Sequence, residues 1–245
     1  MVQARLFRQT HEDCHCASAL YRYKKTFALK YRLHLDFVCM EDKHSCKVGE
    51  PGCPVAAVER GKQVIVGLNE TMEVADHDFT RTSITPSVIL HLDLPEDIEG
   101  SFYRGKVFVG LKEKCFEPSS PVGHVSELAK LLECQEKNKE ILCLYTDGGL
   151  KLNKDMVVAV RTPPYSSWKD PAERLMSILN IGLQSIGLAR RELQDKDLEQ
   201  KLRRCNNMKQ IRELAIREDN LKEEMKQSIQ PVKDLVENVI KRLYI

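Results

Sequence analysis

Residues 141–149 read ILCLYTDGG, an apolar run that stops abruptly at Thr146 and Asp147 with two glycines behind them. A short apolar run bounded by turn residues is the pattern of a buried β-strand. Its ending has two readings. Asp and Gly are ordinary turn residues, so a plain strand exit accounts for them. Alternatively the carboxylate is presented at the strand's end, and the glycines remove side chains so that a ligand backbone approaches closely. A second stretch repeats the pattern: FVCMEDKH, residues 37–44, is a short apolar strand that ends in Glu41, Asp42, Lys43 and His44. In parallel and mixed sheets, sites are built at the carboxyl ends of strands. If these two strands are parallel neighbours, Asp42 (or Glu41) and Asp147 stand side by side. Carboxylates that close repel unless a cation lies between them, and hard oxygen donors suit magnesium or manganese.

Working outward, residues 12–31 carry Ala17, Leu20, Tyr21, Phe27 and Leu29 among basic residues, an amphipathic helical pattern. GEPGCP (residues 49–54) is a turn cluster. KQVIVGL (62–68), SVILHLDL (87–94), GKVFVGL (105–111) and DMVVAV (155–160) read as strands. A helix is expected to begin near Ser120–Pro121, with Pro at its first position. From Asp170 onward the pattern is helical. Residues 195–228 are charge-dense, and Pro231 is expected to open a last helix carrying Val232, Leu235, Val236, Val239, Ile240 and Leu243. The expected fold is α/β: a mixed sheet flanked by helices, with a helical C-terminal extension. The expected division is an N-terminal helical segment over 1–32, a core over 33–193 and the extension over 194–245.

A third acid lies in WKDPAERLMSILNIGLQSIGLARR (residues 168–191). Asp170 reads as an N-cap, Pro171 as the first helical residue and Glu173 as the third, a capping-box pattern with Asp at the cap. Capping alone employs Glu173. Its helix adds a polar stripe of Glu173, Ser177, Asn180 and Gln184, with Leu175, Ile178, Leu179 and Ile186 available to a core. A stripe headed by a glutamate places that acid beside a metal and the amides beside a substrate; a solvated face is the plainer reading.

The 245 residues have a net charge of only +2, so any nucleic-acid binding rests on local basic patches. A hydrophobic fraction of 42% supports a real core and argues against global disorder. The nine cysteines are an odd count, the first ten residues lack a signal-peptide core, and no run approaches membrane-span length. Free thiols in the cytosol or nucleus, not secretion and not a membrane, are expected. His11, Cys14, His15 and Cys16 cluster without a second ligand pair, which makes zinc a poor fit.

The three acids together resemble the DDE transposase and integrase superfamily, with its RNase H-like catalytic core. The resemblance extends to wording. MEDKHSCKVGEPGCPVAAVERGKQVIV (40–66), SFYRGKVFVGL (101–111), YTDGG (145–149) and RTPPYSSWKDPAERLMSILNIGLQSIGLAR (161–190) look like a family of transposon-derived proteins. It covers most of the chain and is specific only as an ordered set. It implies metal-dependent DNA phosphoryl transfer, strand cleavage and then strand transfer, with two Mg2+ or Mn2+ ions held by Asp42, Asp147 and Glu173. The family's first acid falls on the Glu41–Asp42 pair, and which of the two is the ligand stays open; Glu41 departs from the family's aspartate. Lys43, His44, Lys47, Arg60, Lys62, Arg161 and the Arg190–Arg191 pair are candidates for DNA phosphate, Asn180 for a polar contact, and Trp168 for packing or base stacking. The family continues past the Gly-Gly with a helix. Here Gly149 runs straight into LKLNKDMVVAV, so the core reads as shortened between Gly149 and Asp155. The resemblance implies DNA as partner and admits a homo-oligomer. An inactive remnant that only binds DNA or protein is the alternative reading.

Overall fold

The structure is a computed structural model that describes residues 14–42, 45–57, 81–133, 139–146, 156–161, 170–184 and 186–244. The expected strand over 62–68 lies outside the described residues. The first helix, α1, spans Cys14–Lys30. The strands are β1 (Leu35–Asp42), β2 (Cys46–Val48), β3 (Val55–Ala56), β4 (Thr82–Leu92), β5 (Gly105–Glu113), β6 (Ile141–Thr146), β7 (Met156–Arg161) and β8 (Gly187–Leu188). The remaining helices are α2 (Pro121–Glu133), α3 (Pro171–Gly182), α4 (Lys196–Arg203), α5 (Met208–Arg217) and α6 (Leu221–Tyr244).

Six strands form a mixed sheet in the order β2-β4-β1-β6-β7, with β5 also paired to β4. β1 and β6 are parallel, Leu35 opposite Ile141 and Cys39 opposite Tyr145. β6 and β7 are parallel from Ile141–Met156 to Thr146–Arg161. β2 runs antiparallel to β4. The Asp93 N–H bonds the Arg104 carbonyl at 2.9 Å and the Lys114 N–H bonds the Ser83 carbonyl at 3.0 Å. Both bonds belong to one antiparallel register of β4 with β5.

The chain divides into two compact units, with β4 and β5 running from one into the other. In the first unit (residues to Glu41, Val88–Phe108 and Ser120–Leu175), the period of two sorts β1 by face. Val38 and Met40 join Ile89, Leu142 and Leu144 under Leu128, Leu131 and Leu132 of α2. Phe37 faces α1, where Lys24 lies 4.9 Å over its ring, and it meets Phe102 edge-on at 6.4 Å. The Ser120 hydroxyl accepts the Gly123 N–H at 3.1 Å and so caps α2.

The second unit holds residues Asp42–Ser87, Val109–Ser119 and Met176–Ile245. Its core gathers Cys46, Val48, Ile84, Leu179, Leu183 and Leu188 with Leu198, Leu202, Ile211 and α6's Leu221, Met225, Ile229, Val232 and Val236. β3 and β8 make a small antiparallel sheet of their own. Gly49 sits where a Cβ would come 2.0 Å from the Cys53 carbonyl oxygen, and Gly52 takes φ +78° in the turn. Only glycine serves at both.

Two expectations are corrected here. Pro231 does not open the last helix but lies inside α6. An interior proline costs about 3 kcal/mol. The buried stripe from Leu221 to Val236, running past the proline on both sides, outweighs it. Ile178 is not in the core: it is 40% exposed, and the buried face of α3 carries Ala172, Met176 and Leu179, with Leu183 buried just past its end.

Candidate acidic site

β1 ends in two acids that the sheet separates by face. Glu41 shares the alternation of Phe37 and Cys39, and Asp42 that of Val38 and Met40. Both are half-buried. The Asp42 carboxylate receives the Lys112 ammonium at 3.1 and 3.5 Å. Lys112 comes from the end of β5, and the side chains are 10% and 14% exposed for Lys112 and Asp42. A charge-assisted bond this well sheltered compensates the Asp42 charge from within the protein.

The conditional expectation about the strands is met in its premise: β1 and β6 are hydrogen-bonded, parallel neighbours. β6 ends at Thr146, which is buried, and Asp147 lies outside the described residues. So do Lys43, His44, Arg60, Lys62 and Trp168. Arg161 is described only as the last residue of β7, opposite Thr146.

Glu173 stands in the first turn of α3 and is half-buried. Before it, Asp170 is fully buried and accepts the Ala172 N–H at 2.8 Å, the expected cap. Along the polar stripe, Ser177 and Gln184 are exposed, so that part of the face is solvated. Asn180 is half-buried, and its Oδ1 has no hydrogen-bond partner among the described residues.

Arg190 is not available to DNA. Its side chain is fully buried, and its guanidinium bonds Glu199 bidentately at 2.8 and 2.9 Å and Glu50 at 2.6 and 3.0 Å. Burial pushes the Glu199 carboxyl up, but bonds from Arg190, the Leu193 N–H and Arg203 outweigh it and hold it at about 2. Arg191 is exposed.

The sequence reading passed over the polar groups beneath α1. Lys24 is 3% exposed, and its ammonium bonds the Leu144 carbonyl and lies 5.4 Å over the Tyr145 ring. Burial draws Lys24 down to about 8, against the opposing pull of Cys39, Cys143 and Asp170. Burial raises Cys39 well above its usual range and Cys143 to about 11. A signal existed: Tyr21, Lys24 and Ala28 fall on one helical face, which puts a lysine in the apolar stripe. Asp36 was missed as well. It is 1% exposed and bonds His91 Nε2 at 3.1 Å.

Among the described residues, no group of three His, Cys, Asp or Glu side chains gathers as a metal cluster. Among them too, no helix is long and apolar enough to cross a membrane. What the described geometry offers is a half-buried glutamate at the carboxyl end of a central parallel strand, and a neighbouring aspartate neutralised by lysine.

No family model and no curated protein matches the chain. Two solved structures are similar. One is the Mos1 mariner paired end complex with Mn: 13% identity, TM-score 0.43, covering 92% of this chain and 67% of that one. The other is the Mos1 strand transfer complex: 11% identity, TM-score 0.40, covering 100% of this chain and 66% of that one. The chain therefore spans about two thirds of the length of each.

Proposed function

We propose that the protein is a transposase-derived, RNase H-like module whose chemistry is metal-dependent phosphoryl transfer on DNA. The observation that carries this reading is the parallel pairing of β1 with β6. The two strands whose sequences run into Glu41–Asp42 and Asp147 are neighbours with their carboxyl ends on the same side of the sheet. The order β5-β4-β1-β6-β7, with helices on both faces of β1 in the first unit, supports an RNase H-like core.

The same geometry favours Glu41 as the first acid. Cys39 pairs with Tyr145, and Glu41 stands two residues beyond the one as Asp147 stands two beyond the other. Asp42 falls on the opposite alternation and already has Lys112. The carboxylate oxygens of Glu41, Asp147 and Glu173 are the hard donors that Mg2+ or Mn2+ prefers, so these residues would hold the ion. Such an ion supplies charge stabilisation to the attacking and leaving oxygens of a phosphodiester. The chain's own residues do the rest. Glu41 supplies negative charge from a rigid strand rather than a loop. Lys112 keeps Asp42 from competing for the ion and from repelling the substrate.

The Asp42–Lys112 pair also supports a second reading, a remnant without turnover that binds DNA or protein. An internal ammonium at an acid of the pair lowers the demand for a divalent cation there. The brevity of the link between β6 and β7 agrees with a shortened core, since parallel neighbours are normally joined by a crossover of about a dozen residues or more.

Calorimetric titration of Mn2+ into the wild type, Glu41→Gln, Asp42→Asn and Asp147→Asn tests both readings. Binding that survives Asp42→Asn and disappears in the other two variants is the expected result. Loss in Asp42→Asn with retention in Glu41→Gln would reverse the assignment of the first acid. A folded wild type that takes up no Mn2+ would leave the remnant reading in possession.

A further inference from the structure

In the second unit four surface cations have acids beside them: Lys201 with Asp197 and Glu218, Arg203 with Glu192 and Glu199, Lys209 with Glu213, Lys241 with Glu237. The helix α1 and the turn after it differ. From Cys14 to Leu35 the sequence contains no acidic residue at all.

The helix is amphipathic in an unusual sense. Its inner face, Tyr21, Lys24 and Ala28, is buried. Lys25 turns aside, its ammonium over the rings of Tyr21 and Phe102, within reach of the Glu99 charge. The outer face is Arg22, Tyr23, Thr26 and Lys30, all exposed, and Arg32 follows in the turn. Arg22, Lys30 and Arg32 make no ion pair among the described residues. The neighbouring acid, Glu140, is engaged by His34 at 3.3 Å. Between these cations stands Tyr23, 72% exposed, with Leu33 77% exposed beyond them.

A solvated helix needs neither feature. Lys30 suits the negative end of the helix dipole, but Arg22 lies in the middle of the helix and gains nothing there. An exposed aromatic ring flanked by uncompensated cations about 12 Å apart along a rigid helix has the chemistry of a strand-binding platform: cations for phosphates, a ring for an unpaired base. A lipid surface would call for a broad apolar face inserted between the cations. Here the large exposed apolar side chains of the helix are only Leu20 and Tyr23, too few for such a face.

We infer that the outer face of α1, Arg22, Tyr23, Thr26, Lys30 and Arg32, binds single-stranded nucleic acid. The site extends the proposed DNA chemistry to a surface remote in sequence from Glu173 and needs no metal. Arg22 and Lys30 neutralise phosphates and Tyr23 stacks on a base, while the Thr26 hydroxyl is spent on the Arg22 carbonyl at 3.1 Å.

The test is fluorescence anisotropy of a labelled oligothymidylate with the full chain in EDTA, over a salt series. Arg22→Glu/Lys30→Glu is expected to weaken binding at least tenfold and to flatten the salt slope by more than one, from the two lost phosphate contacts. Tyr23→Ala is expected to weaken it about tenfold, the loss of one base stack, with the salt slope unchanged. Far-UV circular dichroism and the melting temperature should match the wild type, since all three side chains are exposed. The readout is taken in EDTA, without any metal, so failure of the metal reading and failure of this one remain distinguishable. Affinity that is equal in all variants overturns the proposal. So does a duplex of the same length binding more tightly than the single strand, or a wild-type chain that ignores the strand and adheres to anionic phosphatidylserine vesicles.

Discussion

Two buried charged residues of the second unit show opposite solutions to the cost of burial. Arg190 and Glu199 satisfy each other, and Glu50, Arg203 and the Leu193 N–H complete the set. Removing one partner strands the other in a low dielectric, which typically costs 3–5 kcal/mol. Arg190→Ala is expected to lower the urea unfolding free energy by about that much, and Arg190→Lys to recover little of it, because an ammonium lacks the two-pronged geometry. Glu113 is the contrary case. It is fully buried, and neither carboxylate oxygen has a hydrogen bond among the described residues. Burial raises it to about 7, Lys233, Lys226 and Lys222 of α6 pulling it back and Glu117 adding to the rise. Its folded value lies above its unfolded one, so the native state holds the extra proton. The stability this contributes is complete below about 4.5 and is lost as pH rises through about 7. Glu113→Gln should therefore remove up to about 3 kcal/mol of pH dependence between pH 4.5 and 7 in denaturant melts. An unchanged profile would show that Glu113 is ionised throughout.

At the scale of the element, the helices of the C-terminal part are held by caps at their ends and by tertiary contact along their length. Asp195 accepts the N–H groups of Asp197 and Leu198 at the start of α4. Asn207 accepts the Gln210 N–H at 3.0 Å at the start of α5. Asn207→Ala should cost about 1 kcal/mol in chemical denaturation with the m-value unchanged. In α6 the sequence signal misleads. Proline at the head of an apolar pattern reads as a helix start, yet the helix runs through it, with Ile229 and Val232 buried on either side. Close to the proline, the Ser228 carbonyl accepts the Arg191 N–H at 2.9 Å, an outside partner for a carbonyl in the disturbed turn. α3 reads correctly in its start and cap, but not in its buried face, and it stops at Gly182, before Gln184 and Ile186. The period allows Ile178 inside or out, and only the neighbours decide.

For the whole molecule, the sheet order matters more than any one strand. Parallel pairing of β1 with β6 joins segments about a hundred residues apart in sequence. Thiol chemistry gives an overall check. The seven described free cysteines include five buried ones, and Cys16 is exposed. Among the described residues these thiols are free, and a thiol reagent is expected to find all nine cysteines of the chain in denaturant without prior reduction. In the native protein, Cys16 should label well ahead of Cys39, Cys46, Cys115, Cys143 and Cys205. A smaller count in denaturant would reveal a covalent link.

Local pattern was enough for the elements themselves. The runs at 37–42, 87–94, 105–111 and 141–146, and the caps at Ser120 and Asp170, are legible because alternation and capping depend only on near neighbours in the chain. The same holds for the candidate acids as residue types at strand and helix ends. Tertiary structure alone decided what each of them faces. Asp42 meets Lys112, and Arg190 leaves the surface for Glu50 and Glu199. Lys24 is buried under its own helix, and Pro231 is carried inside one. In each case the deciding energy, a charge's desolvation against its partner or an apolar stripe against a lost hydrogen bond, is set by groups far away along the chain. No local pattern encodes it.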